Sequence, residues 1–268
     1  IYLVYRFDGK EFLERYRGKK VMFVGDSLSS NQWQSLACML HAALLPNANY
    51  TLTRRGPLTT LSFLEYEMSV MFVKNGFFVS LTNRTLKLDT LVGTGLWTGA
   101  DVLIFNSYHW WLHSGRLRTW DNYQIGNQIF KDMDVMEAYK TALTTWANWV
   151  DSNIDPAKTR VFFQGISTVH YKGSDWNEPS VKDCRGQTKP INGSDYPGIK
   201  PQGDPVVRSV LSNMKKPAFL LDISLMTQLR KDGHPSIYAG KGLDCSHWCV
   251  AGVPDTWNQL LYTLLLKS

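Results

Sequence analysis

The sequence predicts an α/β fold with a central, mainly parallel sheet. Four short runs are apolar on both faces, which is typical of parallel strands that helices cover on both sides. Segments with apolar residues at helical spacing lie between these runs, as the alternation in an α/β protein requires. The four runs comprise residues 21–24, 102–105, 161–163 and 218–221.

Polar side chains follow each run, and we expect them to meet at one edge of the sheet. Ser27 comes after the first run and Asn106 after the second. Gln164 and Asp222 come after the third and fourth. Ligands of open α/β sheets bind beyond the carboxyl ends of the strands, so the sequence predicts the functional site at this edge.

Three segments have the apolar spacing of helices that pack on a sheet. Pro254 and Asp255 form a favourable start for the last of them. The predicted helices cover residues 30–43, 134–150 and 255–266.

Residues 59–92 have a different pattern, which favours antiparallel strands. Asn75-Gly76 within this region favours a hairpin turn. We therefore expect a β-insertion near residues 59–92, after the first βα unit. Its predicted strands are residues 59–66, 68–73 and 77–81.

Length and composition favour one folded domain with a substantial core. The 268 residues suit one large α/β domain or two small ones, and 44% of them are hydrophobic. We find no internal repeat and treat residues 1–268 as a single domain. The net charge of +6 is not gathered into a basic stripe, which argues against nucleic acid as a partner. The mild positive charge suits an acidic polymer such as pectin, or it is a solvated basic surface.

Cysteines and glycosylation sequons indicate the secretory pathway. Cys245 and Cys249 lack a second matching pair, so we expect no metal site. The remaining cysteines are Cys38 and Cys184, and the latter is a natural anchor for the loop that residues 171–205 predict. An even cysteine count with three sequons favours disulfides and glycosylation. The sequons begin at Asn49, Asn83 and Asn192.

The chain is expected to be part of a longer protein. It begins at Ile1, without an initiator methionine or a signal peptide. Its longest apolar stretch, near residues 260–266, is too short to span a bilayer. We expect a targeting segment before Ile1.

Gly25-Asp26-Ser27 stands where the first strand passes into a helix. A serine at such a turn projects its hydroxyl above the sheet edge, and the helix N-terminus supplies free N–H groups for an oxyanion. Ser27 is therefore a candidate nucleophile, and its own N–H a candidate oxyanion donor. The alternative is that Asp26 and Ser27 only cap the helix.

Asp244 and His247 lie three residues apart, shortly before the last predicted helix. The carboxylate can hold one imidazole nitrogen while the other faces a serine, as in a catalytic triad. The alternative is a surface aspartate with a core histidine. Asn106 is a candidate side-chain donor to the oxyanion, or else it caps a turn.

Several other side chains are candidates for contacts with a substrate. Arg54 and Arg55 suit an acidic sugar, although surface or structural roles suit them equally. Three tryptophans suit a stacking platform for sugar rings, with core packing as the alternative. These are Trp110, Trp111 and Trp248. His170 either borders the cleft or is structural.

Two motifs resemble those of a known family. Residues 21–33, VMFVGDSLSSNQW, resemble the GDS motif of the plant trichome birefringence-like proteins, and residues 244–257, DCSHWCVAGVPDTW, resemble their DxxH motif. The resemblance covers essentially the whole chain and is nearest the branch of the powdery-mildew-resistance protein. It implies a three-layer α/β/α fold of the SGNH/GDSL-hydrolase type.

The resemblance also implies site residues and partners. Ser27 would be the nucleophile, His247 the base and Asp244 the acid that orients it. Members usually carry a membrane anchor and a cysteine-rich segment before this domain, and the partners of Cys38 and Cys249 would lie there. Cys184 and Cys245 would then pair with each other.

From these residues and the resemblance, the chain is expected to be an O-acetyltransferase of the Golgi lumen. It would move acetyl, through an acetyl-serine, from a donor of unknown identity to a plant cell-wall polysaccharide, most simply pectin or xylan. No bound cofactor is expected. A polysaccharide acetylesterase with the same triad and a non-catalytic glycan-binding module are the alternatives.

Overall fold

The structure, a computed structural model, describes residues 5–44, 48–237 and 242–267. Helices and strands alternate through most of this part of the chain. The helices are α1 (Gly9–Arg15), α2 (Ser27–His41), α3 (Thr94–Trp97), α4 (Val135–Asn153), α5 (Gly203–Ser212), α6 (Ser224–Gln228) and α7 (Val253–Leu266). The strands are β1 (Lys20–Gly25), β2 (Tyr50–Arg55), β3 (Leu58–Phe63), β4 (Met68–Lys74), β5 (Val79–Thr82), β6 (Thr85–Leu91), β7 (Val102–Phe105), β8 (Asn122–Ile125), β9 (Gln128–Phe130), β10 (Arg160–Gln164), β11 (Ala218–Leu221), β12 (Ser236–Ile237) and β13 (Leu243–Asp244).

The described residues form a seven-stranded central sheet in the order β11-β10-β7-β1-β4-β3-β2. The five strands from β11 to β4 are parallel, and β3 and β2 continue the sheet antiparallel. All four apolar runs are parallel strands of this sheet, so the predicted α/β class is confirmed. Their carboxyl ends share one edge, which we call the C-terminal edge.

The antiparallel strands predicted at residues 59–66 and 68–73 are confirmed as β3 and β4, but the expected β-insertion is wrong in two respects. β4 pairs in parallel with β1 over its full length and is therefore a central strand of the main sheet. The hairpin turn predicted at Asn75-Gly76 does not form, because β5 pairs with β6 and not with β4. The turn instead lies at Asn83-Arg84, where both residues have positive φ (48° and 57°).

β5, β6, β8 and β9 form a second, four-stranded sheet among the described residues. Its strands β8 and β9 come from residues 122–130, which the sequence patterns did not assign to any strand. Asn75 has a different role from the predicted turn: its backbone N–H donates to the carbonyl of Gly25 at 2.8 Å. The start of the second sheet is thereby tied to the end of β1.

Helices cover both faces of the central sheet. One core includes the packed faces of α4 and α5, and the other includes those of α2 and α7. The three predicted helices are confirmed as α2, α4 and α7, with ends that shift by a few residues. α4 begins at Val135 because the Asp134 side chain accepts hydrogen bonds from two backbone N–H groups of its first turn.

The long loop predicted at residues 171–205 is present, with one short 3-10 helix at Gly173–Trp176 and α5 beginning at Gly203. A disulfide joins Cys184 in this loop to Cys245, the pair expected from the resemblance. Within the described ranges, no helix is both long and apolar enough to cross a bilayer.

Candidate functional site

Ser27 is the first residue of α2, and only Asp26 lies between it and the end of β1. Asp26 caps the helix, since its carboxylate accepts the Leu28 N–H at 2.9 Å. Position 25 requires glycine because the backbone of Asn106 lies very close to it. A Cβ at this position would lie 2.4 Å from the carbonyl oxygen of Asn106. Glycine therefore brings the end of β7 against the turn that carries Ser27.

Asp244 organises the short turn of residues 244–249, which we call the Asp–His turn. Its Oδ2 lies 2.6 Å from Nδ1 of His247. Its Oδ1 accepts the backbone N–H groups of Ser246 and His247, at 2.8 and 3.0 Å, and the Ser246 hydroxyl at 2.9 Å. The carboxylate thus holds both the imidazole and the backbone that carries it.

These contacts keep Asp244 ionised. Burial by itself would raise the pKa of this carboxyl, but the His247 ring and the backbone N–H groups of His247 and Ser246 outweigh burial and hold the pKa well below its usual range. An ionised carboxylate on Nδ1 directs Nε2 of His247 away from Asp244. The imidazole is therefore oriented as a general base requires.

Asn31 fastens the Asp–His turn to α2. Its side-chain amide donates to the carbonyl of Trp248 at 3.1 Å and accepts the Trp248 N–H at 2.8 Å. Asn31 lies four residues after Ser27, so the two side chains share one face of the helix. This pair of hydrogen bonds brings the residue next to His247 onto the helical face that carries Ser27.

A second acid–histidine pair includes Asp26, the residue before Ser27. Oδ2 of Asp26 is 4.0 Å from Nδ1 of His109, and both atoms are buried without a hydrogen-bond partner among the described residues. Burial raises the pKa of Asp26, although His109 and His247 oppose this effect. Burial also lowers the pKa of His109, with Asp26 opposing. The sequence reasoning missed His109, whose only signal was its place after the second apolar run.

Asn106 is buried at the end of β7, next to the turn that carries Ser27. Its backbone N–H donates to the carbonyl of Val24 at 2.9 Å. The next residue is fixed as well, because the Ser107 hydroxyl donates to the carbonyl of Gly76 at 2.7 Å. Asn106 therefore lies at the predicted edge, and its role as an oxyanion donor stays a prediction.

The predicted tryptophan platform is wrong for two of its three members. Trp111 is 1% exposed and Trp248 is 2% exposed, so neither ring is available to stack on a sugar. Both indole N–H groups donate inside the protein, to the hydroxyls of Ser107 and Ser167. Trp110 is only partly buried and remains a candidate for stacking on a sugar ring.

Two grooves flank the end of β4, and Lys74 lines both. One, of about 520 Å³, is lined by Trp110, His113 and Arg116 among others. The other, of about 580 Å³, lies between α2 and β2 and includes Trp33 and Arg54. The lining residues of the two grooves include no carboxylate among the described residues.

Arg54 and Arg55 have different surroundings, although both are exposed on β2. Arg54 lines the groove beside α2, whereas Arg55 is not among its lining residues. Arg54 is thus the better placed of the two for a substrate.

Of the remaining predicted positions, the sequon asparagines and two cysteines are exposed, and His170 is buried. The sequon residues Asn49, Asn83 and Asn192 are all exposed, as glycosylation requires. Cys38 and Cys249 are exposed and form no disulfide within the described part of the chain. His170 is fully buried, which supports the structural alternative over the border of a cleft. No group of three His, Cys, Asp or Glu side chains suited to a metal ion occurs among the residues described.

Comparison with known proteins gives consistent matches over nearly the whole chain. The family model of PC-Esterase, a GDSL/SGNH-like acyl-esterase family found in Pmr5 and Cas1p, matches residues 4–264. Trichome birefringence-like 42 of Arabidopsis thaliana is 56% identical over 98% of this chain and 75% of its own length. Trichome birefringence-like 38 of the same plant is 53% identical, over 97% of this chain and 70% of its own. Trichome birefringence-like 4 is 42% identical over 98% of this chain and 64% of its own.

Proposed function

The chain belongs to the trichome birefringence-like proteins of the PC-Esterase family, and we propose that it is a polysaccharide O-acetyltransferase with Ser27, His247 and Asp244 as its triad. The observation that carries the proposal is the Asp–His turn, whose His247 is oriented by Asp244. Asn31 fastens this turn to the helical face of Ser27. A nucleophile at a helix N-terminus beside an oriented imidazole suits acyl transfer.

In the first step, His247 takes the proton of the Ser27 hydroxyl while Oγ attacks the acetyl carbonyl of the donor. The backbone N–H of Ser27 and the side-chain amide of Asn106 stabilise the negative oxygen of the tetrahedral intermediate. His247 then gives the proton to the leaving group. The result is an acetyl-serine and a released donor product.

In the second step, a sugar hydroxyl gives its proton to His247 and attacks the acetyl-serine. The intermediate collapses, the C–O bond to Ser27 breaks, and His247 returns the proton to Oγ. Transfer to a sugar competes with hydrolysis when the acceptor is held against the acetyl group and water is kept out.

An acidic wall polysaccharide is the acceptor that the surface favours. Lys74, Arg54 and Arg116 line the two grooves beside β4, and no carboxylate stands among the described lining residues to oppose them. Positive side chains without carboxylate neighbours attract uronic acid groups. Pectin, and xylan with its acidic branches, therefore fit better than neutral glycans.

Product analysis with an isotopically labelled acetyl donor tests the proposal. The purified protein is incubated with acetyl-coenzyme A or 4-nitrophenyl acetate and with oligogalacturonides, xylan fragments or neutral mannan fragments. We expect acetyl mass on an acidic oligosaccharide with the native protein, and none with Ser27→Ala. Ser152→Ala, an exposed serine near the end of α4, is the matched control and should behave as the native protein does.

The same experiment, together with a glycan-binding assay and a serine-reactive probe, separates the two alternatives. Acetate released at one rate with and without glycan would replace the transferase by an acetylesterase that uses the same triad. Glycan binding without labelling of Ser27 by a serine-reactive probe would favour a non-catalytic binding module.

We further propose the context in which the enzyme works. Three exposed sequon asparagines and the Cys184–Cys245 disulfide suit the secretory pathway and the Golgi lumen. The exposed Cys38 and Cys249 are available to pair with a segment that precedes this domain and carries a membrane anchor. Residues 1–268 would act as one catalytic domain nearest the powdery-mildew-resistance branch, with no bound cofactor.

A further inference from the structure

Two buried histidines lie directly behind the Asp–His turn. Nδ1 of His170 is 2.7 Å from Nε2 of His234. The outer nitrogens of the pair face backbone carbonyls: Nε2 of His170 lies 3.0 Å from the oxygen of Gln228, and Nδ1 of His234 lies 2.7 Å from that of His247. The pair therefore spans the space between α6 and the backbone of the proposed general base.

The number of protons in this chain of contacts is constrained. A carbonyl oxygen only accepts, so a hydrogen bond at either outer contact needs an N–H on the imidazole. The contact between the two rings needs a third N–H. Two neutral imidazoles have one N–H each, so one of the three contacts has no proton. Because three hydrogen bonds need three N–H groups, the pair satisfies all three only when it holds one additional proton.

The surroundings place the uptake of this proton in the acid range. Burial lowers the pKa of His170 from 6.5 to about 4 and that of His234 to about 3. The charge of Lys231 also disfavours a proton on His170, although Lys231 is paired with Glu178. Three carboxylates raise the pKa values of the pair, namely Asp175, Asp232 and Asp244. Three aromatic side chains also contact the two imidazole rings. They are Tyr196, Trp176 and Trp248.

His234 also contacts the next residue of the turn. Its ring stacks on Trp248, with 4.0 Å between centroids and 28° between planes. Asn31 holds the Trp248 backbone on the other side. The segment of His247 and Trp248 is thus fixed from α2 and from the histidine pair.

We propose that His234, oriented by His170, is a positioning residue for His247, and that the pair takes up one proton in acid to complete three hydrogen bonds. His234 fixes the His247 backbone through its Nδ1–H on the carbonyl, and thereby fixes the position of the His247 ring. The catalytic consequence rests on the proposed role of His247, whereas the proton count does not.

The neutral pair must leave one contact without a proton. The longest of the three is the contact between His170 and Gln228, at 3.0 Å. We therefore expect the neutral pair to hold Nδ1–H on both rings, with His170 donating to His234 and His234 donating to His247. His247 stays held at neutral pH, and the bond to Gln228 forms with the additional proton.

Paired substitutions at His234 test the positioning role. His234→Phe keeps a flat ring for Trp248 but removes the Nδ1–H, whereas His234→Asn keeps a donor near the Nδ1 position. With 4-nitrophenyl acetate we expect His234→Phe to lower kcat about 10- to 100-fold with little change in KM, since small misplacements of a catalytic group have effects of this size. His234→Asn should recover most of the loss, and the exposed His41→Asn should match the native protein. Equal losses in both His234 variants, or native kcat in His234→Phe, would overturn the positioning role.

Nitrogen NMR of the native protein with ¹⁵N-labelled histidine tests the proton count without any activity. From about pH 7 to about pH 3 we expect two N–H groups on the pair to become three, with the new one on Nε2 of His170. Two N–H groups throughout this range would overturn the count. If no acetyl donor reacts at all, the proposed function fails, and this titration still decides whether the pair shares a proton.

Discussion

Ser27 and the Asp–His turn are linked through Asn31 but are held in place by different kinds of contact. Ser27 is the first residue of a fifteen-residue helix, which follows a buried strand paired on both sides. Among the described residues, the only regular element of the Asp–His turn is the two-residue strand β13. The turn depends on the side chains of Asp244, Asn31 and His234 and on the Cys184–Cys245 disulfide. The comparison teaches that the proposed nucleophile is placed by secondary structure, whereas its proposed base is placed by a few individual bonds.

Removal of the proposed nucleophile is expected to have the largest effect on activity and almost none on the fold. Ser27→Ala should lower acetyl transfer by roughly 10⁴-fold or more, as loss of a triad nucleophile does. Its free energy of unfolding should change by less than about 0.5 kcal/mol, because strand and helix hold this position. Acetyl transfer assays and urea unfolding measure the two quantities, and a large loss of stability would contradict the comparison.

The disulfide is expected to be the strongest single support of the Asp–His turn. Replacement of both Cys184 and Cys245 by serine should reduce the free energy of unfolding by about 2–5 kcal/mol, because it releases a loop of 61 residues. Urea unfolding measures this loss. Cys38→Ser, at an exposed cysteine without a disulfide among the described residues, is the control and should change stability little.

Asn31 provides a smaller test of the same support. Asn31→Leu keeps the side-chain volume but leaves the N–H and the carbonyl of Trp248 without their partner. We expect a loss of about 2–3 kcal/mol, the sum of two buried hydrogen bonds, together with slower labelling of Ser27 by a serine-reactive probe. Asn148→Leu, on an exposed position of α4, should alter neither measurement. Native labelling in Asn31→Leu would show that the turn stays in place without this pair of bonds.

The smallest expected effect is the change in the free energy of unfolding for each pH unit. His170 and His234 have pKa values of about 4 and about 3 in the folded state and 6.5 in the reference state. The unfolded chain binds more protons below pH 6.5, so their contribution is fully present above this pH and is lost as the pH falls towards 4.

His170→Gln sharpens this prediction. Its amide can donate both to Gln228 and to His234 without an additional proton. Between about pH 6 and about pH 4, stability of the native protein should fall more steeply than that of the variant, by about 1.4 kcal/mol per pH unit for the one titrating site removed. Urea unfolding at several pH values measures the difference, and parallel slopes would contradict the pKa directions of the pair.

Sequence patterns were sufficient for the parts of the molecule that local burial specifies. The four runs of residues apolar on both faces predicted the parallel strands, and the spacing of apolar residues predicted α2, α4 and α7. The GDS and DxxH motifs led to Ser27, Asp244 and His247, and the structure confirms the hydrogen bond between the last two. The catalytic role of all three stays a prediction.

Sequence patterns failed where the partner of a segment decides its place. Residues 68–74 look like any half-buried strand, and only the tertiary structure shows that they pair with β1. Asn75-Gly76 has the composition of a hairpin turn, yet Asn75 bonds to Gly25 and the turn forms at Asn83-Arg84. Trp111 and Trp248 are as suited to a sugar as to a core, and burial decided the matter.

The sequence by itself therefore determined the class of the fold, its main strands and helices, and the residues that the triad would use. Only the tertiary structure decided that Asn31 and the His170–His234 pair hold the Asp–His turn. The physical reason is that apolar periodicity and capping are local and repeat within a few residues. A hydrogen bond between side chains 64 residues apart leaves no such periodic signal in the sequence.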